Sequence, residues 1–270
     1  MMEPKQSVYF VHISDTHIGP TPEYERHGHR SLPCAQRIVE IINRFPVKPD
    51  FVVHTGDVVT EPNGRSYQLA AETFSHLDVP IYYVTGNHDT ARDIQQFLPM
   101  GPHQPFCQSA AEQYSYTFTV KGYRFLVLDA RAPDELDPHG LLSQAQLDWV
   151  RREATADGPP LTLFMHFPTL PMNSTWMDAY MLVINGPELH QALLPARNRL
   201  RGVFYGHIHQ NMQVIRDGIL YASTASVFSQ FSAWPGHASV GYDPDHLPGY
   251  SFVHLLPEQT IIHQHTFPRP

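Results

Sequence analysis

The sequence has no apolar run approaching the 18 residues that a membrane-crossing helix requires, so no helical span is expected. It has only two cysteines, Cys34 and Cys107, and no C-x-x-C pair. That excludes a disulfide framework and a cysteine-type zinc site, and the two thiols read as free groups in a reducing compartment. Basic charge is also scarce: 18 Lys and Arg face 26 Asp and Glu, a net charge of −8. Nucleic-acid polymers are thereby excluded as the main partner, because backbone phosphates call for clustered cations. A small phosphate substrate stays open, since local charge can differ from net charge. Met1 to Gln6 lack the basic-then-apolar pattern of a signal peptide, and cytoplasm is the expected location. With no repeat, low-complexity tract or linker, residues 1–270 read as one domain.

What is present is an ordinary globular composition, 42% hydrophobic and 16% charged, with an unusual 18 histidines. Val8 to Ile13, Phe51 to His54, Val79 to Val84, Leu161 to Met165 and Gly202 to Tyr205 are short apolar runs that read as buried strands. Helices are expected over Cys34 to Phe45, Ser66 to Leu77, Thr90 to Phe97, Gln144 to Arg152 and Pro187 to Leu194. Tyr114 to Val120 and Tyr123 to Leu128 read as a hairpin turning at Lys121-Gly122. Residues 20–32 and 168–185 read as loops over one rim. The early βα alternation implies a mostly parallel sheet; residues 210–270 are expected to supply C-terminal strands of a second sheet.

Each apolar run ends in a small polar block: Ser14-Asp15-Thr16-His17, Gly56-Asp57, Gly86-Asn87-His88-Asp89, His166 and Gly206-His207-Ile208-His209. Strand ends are where an α/β fold places its chemistry. In an extended segment residues i and i+2 point the same way, so Asp15 with His17, and His207 with His209, are expected to reach a common point. Two carboxylates, four imidazoles and one amide are too many ligands for one open ion site and suit two. Mixed oxygen and nitrogen donors without thiolate favour Mn, Fe, Zn or Co.

This set of blocks resembles the calcineurin-like metallophosphoesterase family, with its Asp-x-His, Gly-Asp, Gly-Asn-His-Asp/Glu, His and Gly-His-x-His signatures. Ser14 to His17, Gly140-Leu141, Gln146 to Trp149, Trp176 to Asp178 and Ala222 to Ser226 further resemble its class III cyclic-nucleotide phosphodiesterase and glycerophosphodiesterase branch. The resemblance implies a four-layer αββα sandwich with two metals at the rim, Mn or Fe favoured. Asp15, His17 and His209 would hold one metal, Asn87, His166 and His207 the other, and Asp57 would bridge them. Members of the branch are often oligomeric, and the turn-rich C-terminal third is a candidate interface. Residues 230–247 do not align with the branch.

The expected reaction is hydrolysis of a small phosphodiester, 3′,5′-cyclic nucleotides such as cAMP first, by a metal-bridging hydroxide. Two divalent ions, two Asp and that hydroxide sum to about +1, enough to attract a diester anion locally. Asp57 belongs to the catalytic centre. His88 is assigned to the leaving oxygen or a phosphoryl oxygen, and Asn87, His88 and His209 to substrate contact. Asp89 would orient His88 or cap the next helix. Arg26, Arg92 and Lys121 are the candidate extra cations for a monoester; none lies in a Gly-rich phosphate loop, which favours a diester. His27, His29 and Trp176 sit in the rim loops and read as solvated side chains. The alternatives are a glycerophosphodiesterase or phosphomonoesterase of the same fold, and, remotely, a non-catalytic scaffold.

Overall fold

The computed structural model describes residues 7–106 and 113–270. The N-terminal Met1 to Gln6 and Cys107 lie outside the described residues; Cys34 is buried and free.

Two sheets stack face to face. The first has five strands in the order Gln259–Thr266, Gly249–Leu256, Val8–Ile13, Phe51–His54, Ile81–Tyr83. Its last three strands run parallel, and the Gly249–Leu256 strand lies antiparallel to Val8–Ile13. The second has seven, ordered Gln213–Arg216, Ile219–Ser223, Leu200–Tyr205, Leu161–Phe164, Tyr123–Val127, Tyr116–Val120, Gln104–Pro105. Four of these, from Ile219–Ser223 to Tyr123–Val127, run parallel. The expectation for residues 210–270 is half corrected. Gln213–Arg216 and Ile219–Ser223 join the second sheet, but the last two strands extend the first. Alternation along Gly249–Leu256 tells which side chains are buried; it does not tell which sheet edge takes the strand.

Aromatic rings fill the space between the sheets. Phe10 stacks on Phe51 at 5.2 Å and meets Phe164 and Phe204 edge-on at 5.4 and 5.2 Å. Each such ring is fully buried, worth about 1.5–3 kcal/mol apiece. On the outer face of the first sheet pack the helices Ser31–Asn43 and Gly64–Phe74; on that of the second, Gln144–Glu153 and Gly186–Leu193. The result is the expected αββα sandwich. Among the described residues no helix is long and apolar enough to cross a membrane.

Local chemistry explains the helix limits. Pro33 falls in the first turn of Ser31–Asn43, where its missing N–H costs nothing, so this helix starts three residues before the expected Cys34. Asn63 and Thr90 cap the next two helices through Ser66 N–H and Asp93 N–H. Ser143 and Gln146 form a reciprocal capping box. The rim loops are less plain than expected. Glu25–Arg26 pairs with His29–Arg30 as a small hairpin, Gln230–Ser232 pairs with Gly241–Asp243, and Thr175–Tyr180 is a short helix.

Candidate metal centre

All five polar blocks arrive at the carboxyl ends of parallel strands, on one rim. Backbone bonds lock them together. Asp15 N–H donates to Gly56 O and His17 N–H to Asp57 O, each at 3.0 Å. Gly206 N–H donates to His166 O at 3.0 Å, and His207 N–H reaches the Asp15 carboxylate at 3.1 Å. His88 N–H donates to Asp57 Oδ1 at 2.9 Å.

The extended geometry expected for Asp15-Thr16-His17 and His207-Ile208-His209 is corrected. Asp15, His17, Asp57, His207 and His209 all have positive φ, between 44° and 68°. A side chain in that region is strained, and five together mean that the rim is over-determined by its neighbours rather than by local preference. Asp15 and His17 still reach one group of ligating atoms, whereas His207 and His209 part, His209 joining Asp15 and His17 and His207 joining Asp57 and His166. Two glycines allow the close approach: a Cβ on Gly86 would stand 2.2 Å from Asp57 Oδ1, and one on Gly206 would stand 1.9 Å from Ser14 Oγ.

Three overlapping groups bring metal-ligating atoms within 4.8 Å of one another: Asp15, His17 and His209; His17, Asp57 and His88; Asp57, His166 and His207. Asn87 adds its amide oxygen 3.3 Å from His166 Nε2. His88, expected to be free of metal, thus also stands among candidate ligands. The side chains of Asp15, His17, Asp57, His166, His207 and His209 are buried, whereas Asn87 and His88 are half-buried and mark the opening.

The residues fit a pair of cations. Neither Asp15 nor Asp57 pairs with a Lys or Arg among the described residues; their ionic contacts are to histidines alone. Two buried carboxylates so placed need positive charge. Of the five imidazoles, four have an outer nitrogen committed to a backbone carbonyl; His17 instead accepts at Nδ1 from Arg26 Nη1 at 3.3 Å. His166 Nδ1–H donates to Thr55 O at 2.6 Å, His209 Nδ1–H to Ser229 O at 2.8 Å, His207 Nε2–H to Pro138 O at 3.0 Å and His88 Nδ1–H to Thr60 O at 2.8 Å. Each bond fixes the tautomer that turns a lone pair inward, the arrangement usual for metal-bound histidine. These carbonyls were not foreseen from the sequence.

Electrostatics agree. Burial alone would raise the Asp57 carboxyl, but His166 and His88 outweigh it and hold it well below the usual range. Burial likewise opposes His166, yet Asp57 beside it raises that imidazole to about 9. His207 is driven the other way, to about 3, by burial and the His166 charge.

Asp89 does neither thing expected of it. Its carboxylate accepts from Val58 N–H, Val59 N–H, Gly86 N–H and the Tyr67 hydroxyl, buckling the Gly56 turn to the Gly86 turn; Thr90 caps the helix instead. Burial, and then the Asp57 charge, raise Asp89 to about 6. Lys121 is also remote from the site, tied to Asp50 and Ser7 O, and Trp176 packs on the core beside Tyr180. Ser226 has an unforeseen role: its buried hydroxyl donates to Asp15 O at 2.8 Å and accepts from Phe228 N–H and Ser229 N–H.

The family model of calcineurin-like phosphoesterases matches residues 8–211, a stretch that contains every block above. The chain belongs to the calcineurin-like phosphoesterase family. A probable cyclic nucleotide phosphodiesterase of Psychrobacter sp. is 28% identical over 80% of this chain and 62% of its own length. The 3′,5′-cyclic adenosine monophosphate phosphodiesterase of Haemophilus influenzae is 27% identical over 84% of this chain and 79% of its own. Among solved structures, a dimetal phosphatase from Danio rerio superposes with a TM-score of 0.64 at 15% identity, covering 97% of this chain and 99% of that one. That likeness shows the fold of this family member.

Proposed function

We propose that the chain is a dinuclear metal-dependent phosphodiesterase of small phosphodiesters, with 3′,5′-cyclic nucleotides such as cAMP as the leading substrates. The observation that carries this reading is the place of one carboxylate. Asp57 Oδ2 stands 3.5 Å from His17 Nε2 and 3.4 Å from His166 Nε2, facing the imidazoles of both groups at once. A ligand shared by two ions must stand there. Asp15, His17 and His209 would complete the first ion's set; Asn87, His166 and His207 would complete the second. When bound, such paired ions, of the Mn or Fe type, activate water at neutral pH and neutralise phosphoryl oxygens.

The chain's own side chains do the remaining work. His88 is held by two bonds, its ring by Thr60 O and its backbone by Asp57, and its other ring nitrogen faces the cluster at the half-buried mouth. From there, protonated on both ring nitrogens, it gives a hydrogen bond or proton to the leaving alkoxide, which otherwise departs as a strong base. Asn87 and His209 contact the phosphoryl group from the two ion sites. The likeness to the Psychrobacter and Haemophilus cyclic nucleotide phosphodiesterases supports a cyclic nucleotide over a glycerophosphodiester. Cys34, buried and unbonded, suits the cytoplasm.

The test is turnover of 3′,5′-cyclic AMP by protein reconstituted with Mn²⁺, beside a glycerophosphodiester and a phosphomonoester, with Asp57→Ala as control. Cyclic AMP turnover that the substitution abolishes is expected. Metal-dependent hydrolysis of the glycerophosphodiester alone would move the substrate and keep the chemistry. No diester hydrolysis under any metal would end the proposal.

A further inference from the structure

Two segments left without a role meet beside the metal centre: the Glu25–Arg30 hairpin and residues 230–247. Arg26 is the junction. Its Nη1 donates to Thr60 Oγ1 at 2.8 Å and to His17 Nδ1 at 3.3 Å, and its Nε donates to His27 Nε2 at 3.1 Å. No other Lys or Arg among the described residues hydrogen-bonds a candidate ligand. His27 stacks on Tyr242 with ring centroids 3.3 Å apart, Tyr242 meets Phe231 edge-on at 5.2 Å, and Phe231 lies flat on His209 at 4.4 Å. This column of rings pins the hairpin to the 241–243 strand and both to a candidate ligand.

Arg26 is half-buried, and among the described residues no carboxylate forms an ion pair with it; its partners are the hydroxyls of Thr60 and Tyr242 and the imidazoles of His17 and His27. An unneutralised fork of donors at the mouth of a phosphoester site is matched to phosphate oxygens. Thr60 supplies the register, because its hydroxyl holds Arg26 while its carbonyl holds His88. The two other candidate cations are placed elsewhere. Lys121 is neutralised by Asp50, and Arg92 is exposed on the Ala91–Phe97 helix.

We propose that Arg26 is a phosphate-contacting, specificity-determining residue that favours a phosphomonoester dianion over a diester monoanion. It adds one positive charge to the centre, about +2 in place of about +1, so the nucleoside monophosphate product binds more tightly than the diester from which it forms. This rests on the proposed phosphodiesterase reading.

The experiment uses full-length Mn²⁺-loaded protein as wild type, Arg26→Gln and Arg26→Lys. Inorganic phosphate and adenosine 5′-monophosphate are titrated calorimetrically, and KM and kcat are measured for bis(p-nitrophenyl) phosphate. Arg26→Gln is expected to weaken both dianions about tenfold or more, the loss of a charge-assisted bond, and to raise the diester KM by a clearly smaller factor. Arg26→Lys should recover part of the dianion affinity. A loss confined to adenosine monophosphate would place Arg26 on the nucleoside and overturn the proposal. So would equal dianion binding by wild type and Arg26→Gln, or an equal fall for all ligands led by kcat, which is what a merely structural tether through Thr60 gives. Tight, Arg26-dependent phosphate binding without any diester turnover would uphold the residue's role and sink the phosphodiesterase reading instead.

Discussion

Replacing Gly86 by Ala puts one methyl group where the centre has no room. The new Cβ would stand 2.2 Å from Asp57 Oδ1 and 2.3 Å from Asp57 N, against 3.4 Å or more for ordinary contact. The backbone nitrogen cannot swing aside, and Asp57 already holds a left-handed φ of 55°. Either the Gly86 turn or Asp57 must retreat by about 1 Å. Overpacking of this kind costs about 1–3 kcal/mol, a loss that a domain of ordinary stability survives folded. Function suffers more, since a misplacement of about 1 Å at a reacting centre costs about 100-fold in rate. The assay pairs urea unfolding with bound Mn²⁺ and kcat on a diester. Gly64→Ala is the control: its nearest atom is Phe97 Cζ at 3.6 Å, and in a first helical turn the change should be neutral or stabilise by up to about 1 kcal/mol. A Gly86→Ala protein with full metal content and kcat within threefold of wild type would refute the reasoning.

Two further outcomes are expected. His54 is buried, and burial depresses its imidazole from 6.5 to about 3 while Nε2–H donates to Thr16 Oγ1. Its stabilising share is complete above the unfolded pKa of 6.5 and is lost as pH falls towards 3, at about 1.4 kcal/mol per pH unit. The stability gap between wild type and His54→Asn, measured by urea midpoints, should therefore narrow by about 2 kcal/mol from pH 7 to pH 5; a constant gap would show that His54 is not buried neutral. Asp89→Asn leaves one acceptor oxygen facing the Val58, Val59 and Gly86 N–H groups. It should destabilise by about 2 kcal/mol or more, read from the same midpoints, and unchanged stability would contradict the buckle assigned to Asp89.

The blocks at the strand ends were legible because Asp, His and Asn after an apolar run are rare company, and all seven expected ligands meet in space. How they meet was not legible. Positive φ at Asp15 and His17 is imposed by Gly56, Asp57 and Val58 across the sheet, and no local pattern in Asp-Thr-His reports it. Thr55, Pro138 and Ser229 act through carbonyls, which every residue carries, so their side chains give no signal. Arg26 reaches the site only because a two-residue hairpin and a distant aromatic segment clasp each other. The parallel strands followed from the βα alternation and the αββα layering from the family resemblance, whereas the sheet taken by Gly249–Leu256 depended on a vacant edge beside Val8–Ile13. The Thr175–Tyr180 helix is one and a half turns long, too short to show a period.

The central claim is that two ions share Asp57. A calorimetric titration of the metal-stripped chain with Mn²⁺, repeated on Asn87→Ala, tests it most directly. Two equivalents per chain, with one of them lost or strongly weakened in Asn87→Ala, is the expected result. A single equivalent at saturation, or two that Asn87→Ala leaves untouched, would contradict it.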